Sequence, residues 1–561
     1  MSFSQAFQKA RNNKGEPMKN IPTSSPEIET NFYEIPMMYR AQISGRCSLH
    51  LIKNNKSHEK TDLDIWTEEL VNSKDESKRP YYQYQGLEEI LQEGNFLKFK
   101  LAFPFRVVSN CGQDSILRPV IDGRGIPMIP GSSIKGIFRR ACQERDQKKP
   151  AEQLTDKYCG NTDQPGILRF HPAYPLGDWA SIKLENNEPS YKILDVVYPQ
   201  QPRQVEENNK SQGAFALVSF AQPTFIFSIT SSKCLTQEEW NTIKGILKTG
   251  LSKGLGGKTS SGYGLPFLAF HPNIQVRLIG TGITSVLLTG EPEFRPNLFK
   301  AVLRGHTTRL LAGCSNDQSL INRQVNDLFG STQAPSKVDL YCDIKSQPDQ
   351  WDKTFNNLQL DLYLKVDKKS VNFLETVLKF AYTMGGFGKS WRRVWHKDFY
   401  PDKSYKKLIG CHWRSNNDWI DDIKSEKNLK TFLDSLEIIC RQYLSFNAQT
   451  TLNAINWRES WHKERVSVYS KVVEKSAAIE LFHDPTFKTT PAIGGRKPGQ
   501  DRPTFVSSVW HRMLPTDNNQ YLEIVTIFHG DSEPWKDQLK PFVERLTKQG
   551  LTLTWGKNLL K

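Results

Sequence analysis

One order of elements occurs twice along this chain and constrains its fold more than any composition figure. A turn leads into a basic helix, strands come next, and a second helix runs into a glycine-rich basic loop. The first occurrence begins at residues 129–142 (IPGSSIKGIFRRAC). Pro130 and Gly131 signal a turn, and Ser132 or Ser133 can cap the helix after it. Ile134, Ile137, Phe138 and Ala141 recur at helical spacing, which predicts one buried stripe. Lys135 and Arg139 stand four apart with Arg140 beside them, near a helix N-terminus whose free N–H groups favour anions. Two readings stand side by side here: a device for holding phosphate, and a capped surface helix with solvated Lys and Arg.

The second helix of this unit opens on the capping box Thr236-Gln-Glu-Glu239, with Trp240, Ile243, Leu247 and Leu251 along one side. It runs into residues 254–264 (GLGGKTSSGYG), where glycines such as Gly256 and Gly257 let the backbone approach a ligand and Lys258, Thr259 and Ser260 supply donors. This is no nucleotide-hydrolysis loop, because the G-x-x-x-x-G-K-[ST] spacing fails and a helix precedes it where a strand is needed. The order then restarts at residues 294–309 (FRPNLFKAVLRGHTTR), with Lys300 and Arg304 again four apart. It closes at residues 385–393 (GGFGKSWRR), which carry Lys389, Arg392 and Arg393. Strands are expected at 96–108, 224–229, 274–288, 338–344, 361–366, 504–513 and 521–529, and a last one at 551–555. Helical periodicity dominates 415–475, where Trp457 and Trp461 fall at i, i+4 and read as packing ahead of base stacking.

The chain carries a formal charge of +15 over 561 residues, which predicts more than one domain and a polyanionic partner, nucleic acid first. A basic surface tuned for solubility is the plainer alternative. The nine cysteines form no C-x-x-C pair, and Cys411-His412 lacks partners at zinc spacing, so it reads as a buried thiol beside a surface histidine. No metal and no cofactor are expected. No signal-peptide core or membrane-spanning run is present, so the expectation is a soluble cytoplasmic protein.

The motif at residues 130–136, Pro-Gly-Ser-Ser-Ile-Lys-Gly, resembles the RAMP superfamily of CRISPR proteins. Members carry P-G-S-S-[IL]-[KR]-G at the start of their first helix and a glycine-rich loop near the end of the same domain. Residues 91–272 look most like the sixth subunit of the type III-B Cmr effector complex, on 166–170 (GILRF), 195–199 (DVVYP) and the glycine-rich loop. Residues 273–561 resemble the first subunit more loosely, on 294–305, 328–332, 385–388 and 502–511. The resemblance implies an α+β chain of two tandem ferredoxin-like (RRM-like, βαββαβ) RAMP domains with insertions. One domain covers 91–272 and the other 273–561, the latter with a helical insertion at about 415–475; residues 1–90 form a polar, partly mobile extension.

The same resemblance implies a fusion of two neighbouring subunits that binds crRNA, caps its 3′ end and contacts target RNA in antiviral defence. Its partners would be backbone RAMP subunits, the small subunit and the large polymerase-like subunit, with no membrane. Ser132, Ser133, Lys135, Arg139, Arg140, Gly256, Gly257, Lys258, Thr259, Ser260, Lys300, Arg304, Lys389, Arg392 and Arg393 are the implied RNA contacts. Backbone RAMP subunits cut target RNA with an Asp two residues ahead of a loop Pro. Taking Pro119 as the match, that place holds Leu117, which can neither position metal nor activate a ribose hydroxyl, so no catalytic residue is assigned. Asp114 is the runner-up for a ribonuclease subunit, Asp122 also flanks the place, and His306 or His171 would serve a guide-processing endoribonuclease.

Overall fold

The computed structural model describes residues 95–561 apart from 110–115, 118, 122–126, 151, 177–182, 186–187, 191, 193, 198–204, 207–214, 288–290, 332–333, 347–351, 401–407, 445–453, 489, 491, 496–506 and 530–532. The extension at 1–90, Asp114 and Asp122 lie outside the described residues.

Among the described residues, three antiparallel sheets of four strands carry the architecture. The first is built from β1 (Phe96–Ala102), β2 (Leu168–Phe170), β3 (Tyr174–Leu176) and β4 (Thr224–Ser231), in the order β1-β4-β2 with β3 also paired to β4. Phe99 lies opposite Phe227 and Ile229 opposite Phe170, which sets one apolar face. Against that face pack α1 (Gly131–Lys148) and α2 (Gln237–Ser252). The stripe expected on α1 is buried there, Ile134, Ile137, Phe138 and Ala141 sharing one core with Trp240, Ile243, Leu247 and Leu251 of α2. The capping box forms as read: Glu239 N–H donates to Thr236 Oγ1 at 3.2 Å and Thr236 N–H to Glu239 Oε2 at 3.0 Å.

The second sheet contains β5 (Ile274–Ile283), β6 (Asp339–Ser346), β7 (Thr354–Lys365) and β8 (Cys411–Ser415), in the order β6-β7-β5-β8. In β5 the apolar positions Ile274, Val276 and Leu278 are buried while Gln275 and Arg277 are exposed, the alternation of a sheet with one covered face. Packed with it are α3 (Asn297–Ala312), α4 (Gln318–Phe329) and α5 (Val371–Phe380). Cys411 is buried as expected; His412 is buried too, at 5% exposure, because it lies in a strand of this sheet beside Phe399.

Between the second and third sheets runs α6 (Glu426–Leu444). The third comprises β9 (Val466–Val473), β10 (Val509–Pro515), β11 (Tyr521–Phe528) and β12 (Thr552–Gly556), in the order β10-β11-β9-β12, with α7 (Glu533–Lys548) leading into the last strand. Among the described residues the region 273–561 holds two four-stranded sheets. One expectation changes here: the helical reading of 415–475 is right only for α6. Residues 466–473 (VSVYSKVV) are a strand, since Val and Tyr fit a pleated, half-buried surface better than a helix. Trp457 and Trp461 are both buried outside any helix, and Trp461 stacks on Trp555 at 5.5 Å and meets Phe380 edge-on at 4.6 Å. Packing is therefore their role. Among the described residues no helix is long and apolar enough to cross a membrane.

Candidate nucleic-acid interface

The start of α1 is set by backbone contact. Pro130 is the N-cap and no side chain caps the helix, so the expected Ser132 or Ser133 cap is not formed; the helix begins one residue before them. Gly131 rests on the end of β2, where a Cβ would stand 2.1 Å from the Phe170 carbonyl oxygen. Only glycine permits that approach. Ser132 and Ser133 are thereby exposed in the first turn, Lys135 is half-buried, and Arg139 and Arg140 are exposed. Among the described residues these three cations make no ion pair, whereas those at the other end of the helix do. Arg145 and Lys149 pair with Glu152 at 3.3 and 2.9 Å, and Lys253 with Glu144. Unpaired positive charge is thus concentrated on the first ten residues of α1, where the helix dipole adds to it, with Lys148 alone unpaired at the other end among the described residues.

The glycine-rich loop is pinned against residues 106–108. Gly257 N–H donates to the Val108 carbonyl at 2.7 Å, Gly264 N–H to that of Arg106 at 2.8 Å, and Leu255 N–H to that of Gly264 at 2.8 Å. Gly256 has φ +82°, and a Cβ there would meet the Val108 oxygen at 2.2 Å. Gly256 and Gly257 are exposed, while Lys258, Thr259 and Ser260 are half-buried around the tight turn Thr259–Ser261. The Gly257 N–H is used inside the fold, so this loop offers a ligand close approach at Gly256 and Gly257.

The second occurrence of the pattern is placed differently. Lys300 is 5% exposed, and its Nζ donates to Ser260 O and Oγ at 3.0 and 2.8 Å, to Ser336 Oγ at 2.7 Å and to Val338 O at 2.8 Å. Arg304 is half-buried, donating to Gly330 O at 2.7 Å and to Asn326 Oδ1, both beyond the exposed surface of α3. Arg392 makes a two-pronged contact to the buried Glu459, at 2.6 and 3.1 Å. Arg393 is buried, donating to Ile493 O at 2.9 Å, Ser507 Oγ at 2.7 Å and Val509 O, with Phe482 under its guanidinium. These four residues, expected to meet phosphate, are occupied inside the protein: α4 and the chain after it hold Arg304, that chain and the loop of the first unit hold Lys300, and the segments around the third sheet hold Arg392 and Arg393. Of the second set only Lys389 is exposed.

Glu459 is the centre of that interior network. Burial alone would raise its carboxyl, but Arg392, Arg309 and Arg458 hold it at about 2. His306 lies in the same region with Phe380, Trp391 and Trp510 edge-on to its ring, and burial together with Arg309 and Arg392 keeps it well below the usual imidazole range. Fully buried among these rings, the imidazole is out of reach of an RNA hydroxyl. His171 is taken up by Thr230 Oγ1 at 2.9 Å.

Three cations escaped the sequence reading. Lys98, Lys100 and Arg169 stand opposite Ser228, Ile226 and Thr230 on the face of the first sheet turned away from the core-facing Phe99 and Phe227. Lys100 and Arg169 are exposed, and among the described residues none of the three makes an ion pair. The signal was available in the alternation of Phe96-Leu-Lys-Phe-Lys-Leu-Ala102.

Comparison with known proteins bears on the same stretch. Residues 112–267 match the RAMP superfamily, a span that contains α1 and the glycine-rich loop. No curated protein matches the chain. Among solved structures, it is similar to Cmr1 from Pyrococcus furiosus in its apo form, with 13% identity over 50% of this chain and 98% of that one and a TM-score of 0.34. A chain of the type III-B Cmr-beta complex bound to cognate target RNA aligns with 22% identity over 39% of this chain and 78% of that one, TM-score 0.26. In a further Cmr-beta structure, bound to cognate target RNA and AMPPnP in the presence of ssDNA, the figures are 11%, 50%, 99% and 0.31. The match to the RAMP superfamily thus takes in both the unpaired cations of α1 and the pinned glycine-rich loop, over residues 112–267.

Proposed function

We propose that the chain is a crRNA-binding subunit of a type III CRISPR effector complex, with the guide backbone lying along the N-terminal half of α1 and the glycine-rich loop. The observation that carries this reading is the unpaired set Lys135, Arg139 and Arg140, within the matched RAMP span and on the helix whose Ile137 packs against Gly250, just ahead of the glycine-rich loop. Ser132 and Ser133 add hydroxyl donors in the first turn, and Lys258 and Lys389 extend the basic surface. Lys300, Arg304, Arg392 and Arg393 have no place in the contact set, since their donors are spent internally.

The strand orders support a ferredoxin-like reading extended from two units to three. In the second and third sheets the first strand lies between the third and fourth, and the second strand lies outside the third. The first sheet has the same order without a formal fourth strand, its place taken by the bridge from Val108 to Gly257. Capping of the guide's 3′ end, contact with target RNA, fusion of two subunits, and assembly with backbone, small and polymerase-like subunits belong to the same proposal and rest on the resemblance of the motifs.

The test is a titration of the full chain with single-stranded RNA over a range of salt. Replacing Lys135, Arg139 and Arg140 together by Ala should weaken binding whatever the sequence and flatten the log–log salt slope by about 0.7 for each phosphate no longer neutralised. An unaltered slope removes α1 from the interface.

A further inference from the structure

Two cysteines meet where α1 packs against a short helix, and the RNA-binding reading makes no use of them. Cys142 lies on α1 and Cys159 ends the helix Leu154–Cys159; both are buried and both are free thiols. Contacts one turn apart along α1 set the register between the two helices. Phe138 meets Tyr158 edge-on at 6.0 Å, Cys142 is hydrogen-bonded to Cys159, and Asp146 accepts from the N–H groups of Leu154 and Thr155, each at 2.9 Å. The thiols are therefore held together by the packing on either side of them.

Their surroundings make the two sulfurs unequal. Cys142 donates its S–H to Cys159, and that hydrogen bond together with burial pushes the Cys142 thiol up. The same hydrogen bond holds the Cys159 thiol below its usual range; the charges of Lys135 and Arg139 add to it, while burial and Asp146 oppose it. The thiolate is the form that attacks an oxidant, and a neighbouring thiol resolves the product to a disulfide. Cys159 is suited to the first task and Cys142 stands in place for the second. The buried Cys314 and Cys440 are also hydrogen-bonded to each other, but there that bond, burial and Glu437 all push the Cys440 thiol up.

We propose that Cys142 and Cys159 are a redox pair, closed to a disulfide by hydrogen peroxide and reopened by a small thiol reductant. In the first step the Cys159 sulfur, as thiolate, forms an S–O bond to one peroxide oxygen as the O–O bond breaks. The hydroxide released takes up the proton that Cys159 gave up and becomes water. The Cys142 sulfur then attacks the Cys159 sulfenic acid: the S–S bond forms, the S–O bond breaks, and the hydroxyl leaves as water with the Cys142 proton. The thiols together lose two electrons, and one peroxide is reduced to two waters. Burial of both sulfurs admits a small oxidant and keeps out a protein disulfide.

The experiment exposes the native full chain to hydrogen peroxide, denatures it, blocks the remaining thiols with iodoacetamide and maps the tryptic peptides by mass. Residues 141–145 (ACQER) should appear joined to 158–169 (YCGNTDQPGILR), about 2 Da below the sum of the two peptides. Dithiothreitol added before blocking should return both as thiols. Cys142→Ser removes the resolving thiol and should leave Cys159 as sulfinic acid; the wild-type map decides the matter even where that variant fails to fold. Both cysteines still reduced once the exposed Cys234 is oxidised, or sulfinic acid at Cys159 of the wild type without the linked peptide, overturns the proposal. Saturating single-stranded RNA should slow closure at least about twofold, because phosphate offsets the charges of Lys135 and Arg139 that act on Cys159. That arm alone rests on the RNA-binding reading: closure at the same rate with and without RNA removes phosphate from Lys135 and Arg139 and leaves the thiol pair standing.

Discussion

The Lys300 ammonium sits among four uncharged oxygen acceptors from Ser260, Ser336 and Val338, where burial lowers its pKa to about 7, partly countered by Asp339. Two of those acceptors belong to the glycine-rich loop, so this amine fixes the Thr259–Ser261 turn to the second unit. The pH dependence is set by the sign of the shift. In the unfolded chain a lysine titrates near 10.4, so between about pH 7 and that value the unfolded state binds more protons. Stability from this residue therefore rises with pH across that window and is lowest at and below about pH 7. Chemical denaturation of wild type and Lys300→Met should give a stability difference that shifts in favour of wild type as pH rises from about 7 to about 9, by at most about 1.4 kcal/mol per pH unit. Parallel pH profiles would mean that the amine is not buried as described. Nothing in the spacing Lys300-x-x-x-Arg304 distinguishes it from Lys135-x-x-x-Arg139. The covering chain separates them, from Ser336 and Gly330 on one side and Ser260 on the other.

At the scale of elements, α1 and α3 begin alike and end in different surroundings. The cations in the N-terminal half of α1 face outward without carboxylates, while those of α3 are used to fasten α4 and the loop of the first unit. Arg139→Ala should leave the thermal midpoint unchanged and weaken RNA binding. Arg304→Ala, which frees the Gly330 carbonyl and the Asn326 amide, should lower stability by about 1–3 kcal/mol and leave the salt slope of RNA binding alone. Equal loss of stability in both would contradict the division. The apolar stripe of α1, the capping box of α2 and the alternation of β5 were legible because each is a local pattern matched to its own period. β9 was not, because the helical pattern of the preceding segment masked a short strand whose partners lie far along the chain, such as Val466 with Phe528. The inward turn of Arg392 and Arg393 was equally hidden, since Glu459, which holds Arg392, and Ile493, Ser507 and Val509, which hold Arg393, are far from them in sequence and close only in space.

Across the whole molecule, the buried Glu459 with Arg309 and Arg392 joins α3 of the second unit to the loop before β8 and to the segment entering the third sheet. Its backbone N–H also reaches the Val205 carbonyl at 3.2 Å, so a piece of the first unit closes over the same network. A pattern occurring twice pointed to two units. Three sheets arise because β9 to β12 repeat the strand order without repeating the basic helix or the glycine-rich loop that made the first two visible. The positive charge is therefore unevenly distributed: in the first unit it faces outward on α1 and across Lys98, Lys100 and Arg169, while in the second much of it holds the interior together. The central claim is that this outward charge carries a guide RNA, and it is tested most directly by purifying the tagged full chain from its native host, sequencing the RNA that accompanies it and identifying co-eluting proteins. Discrete CRISPR guides recovered with other RAMP subunits, and absent after replacement of Lys135, Arg139 and Arg140, is the predicted result. Recovery of no RNA, or of ribosomal fragments without partners, would contradict it.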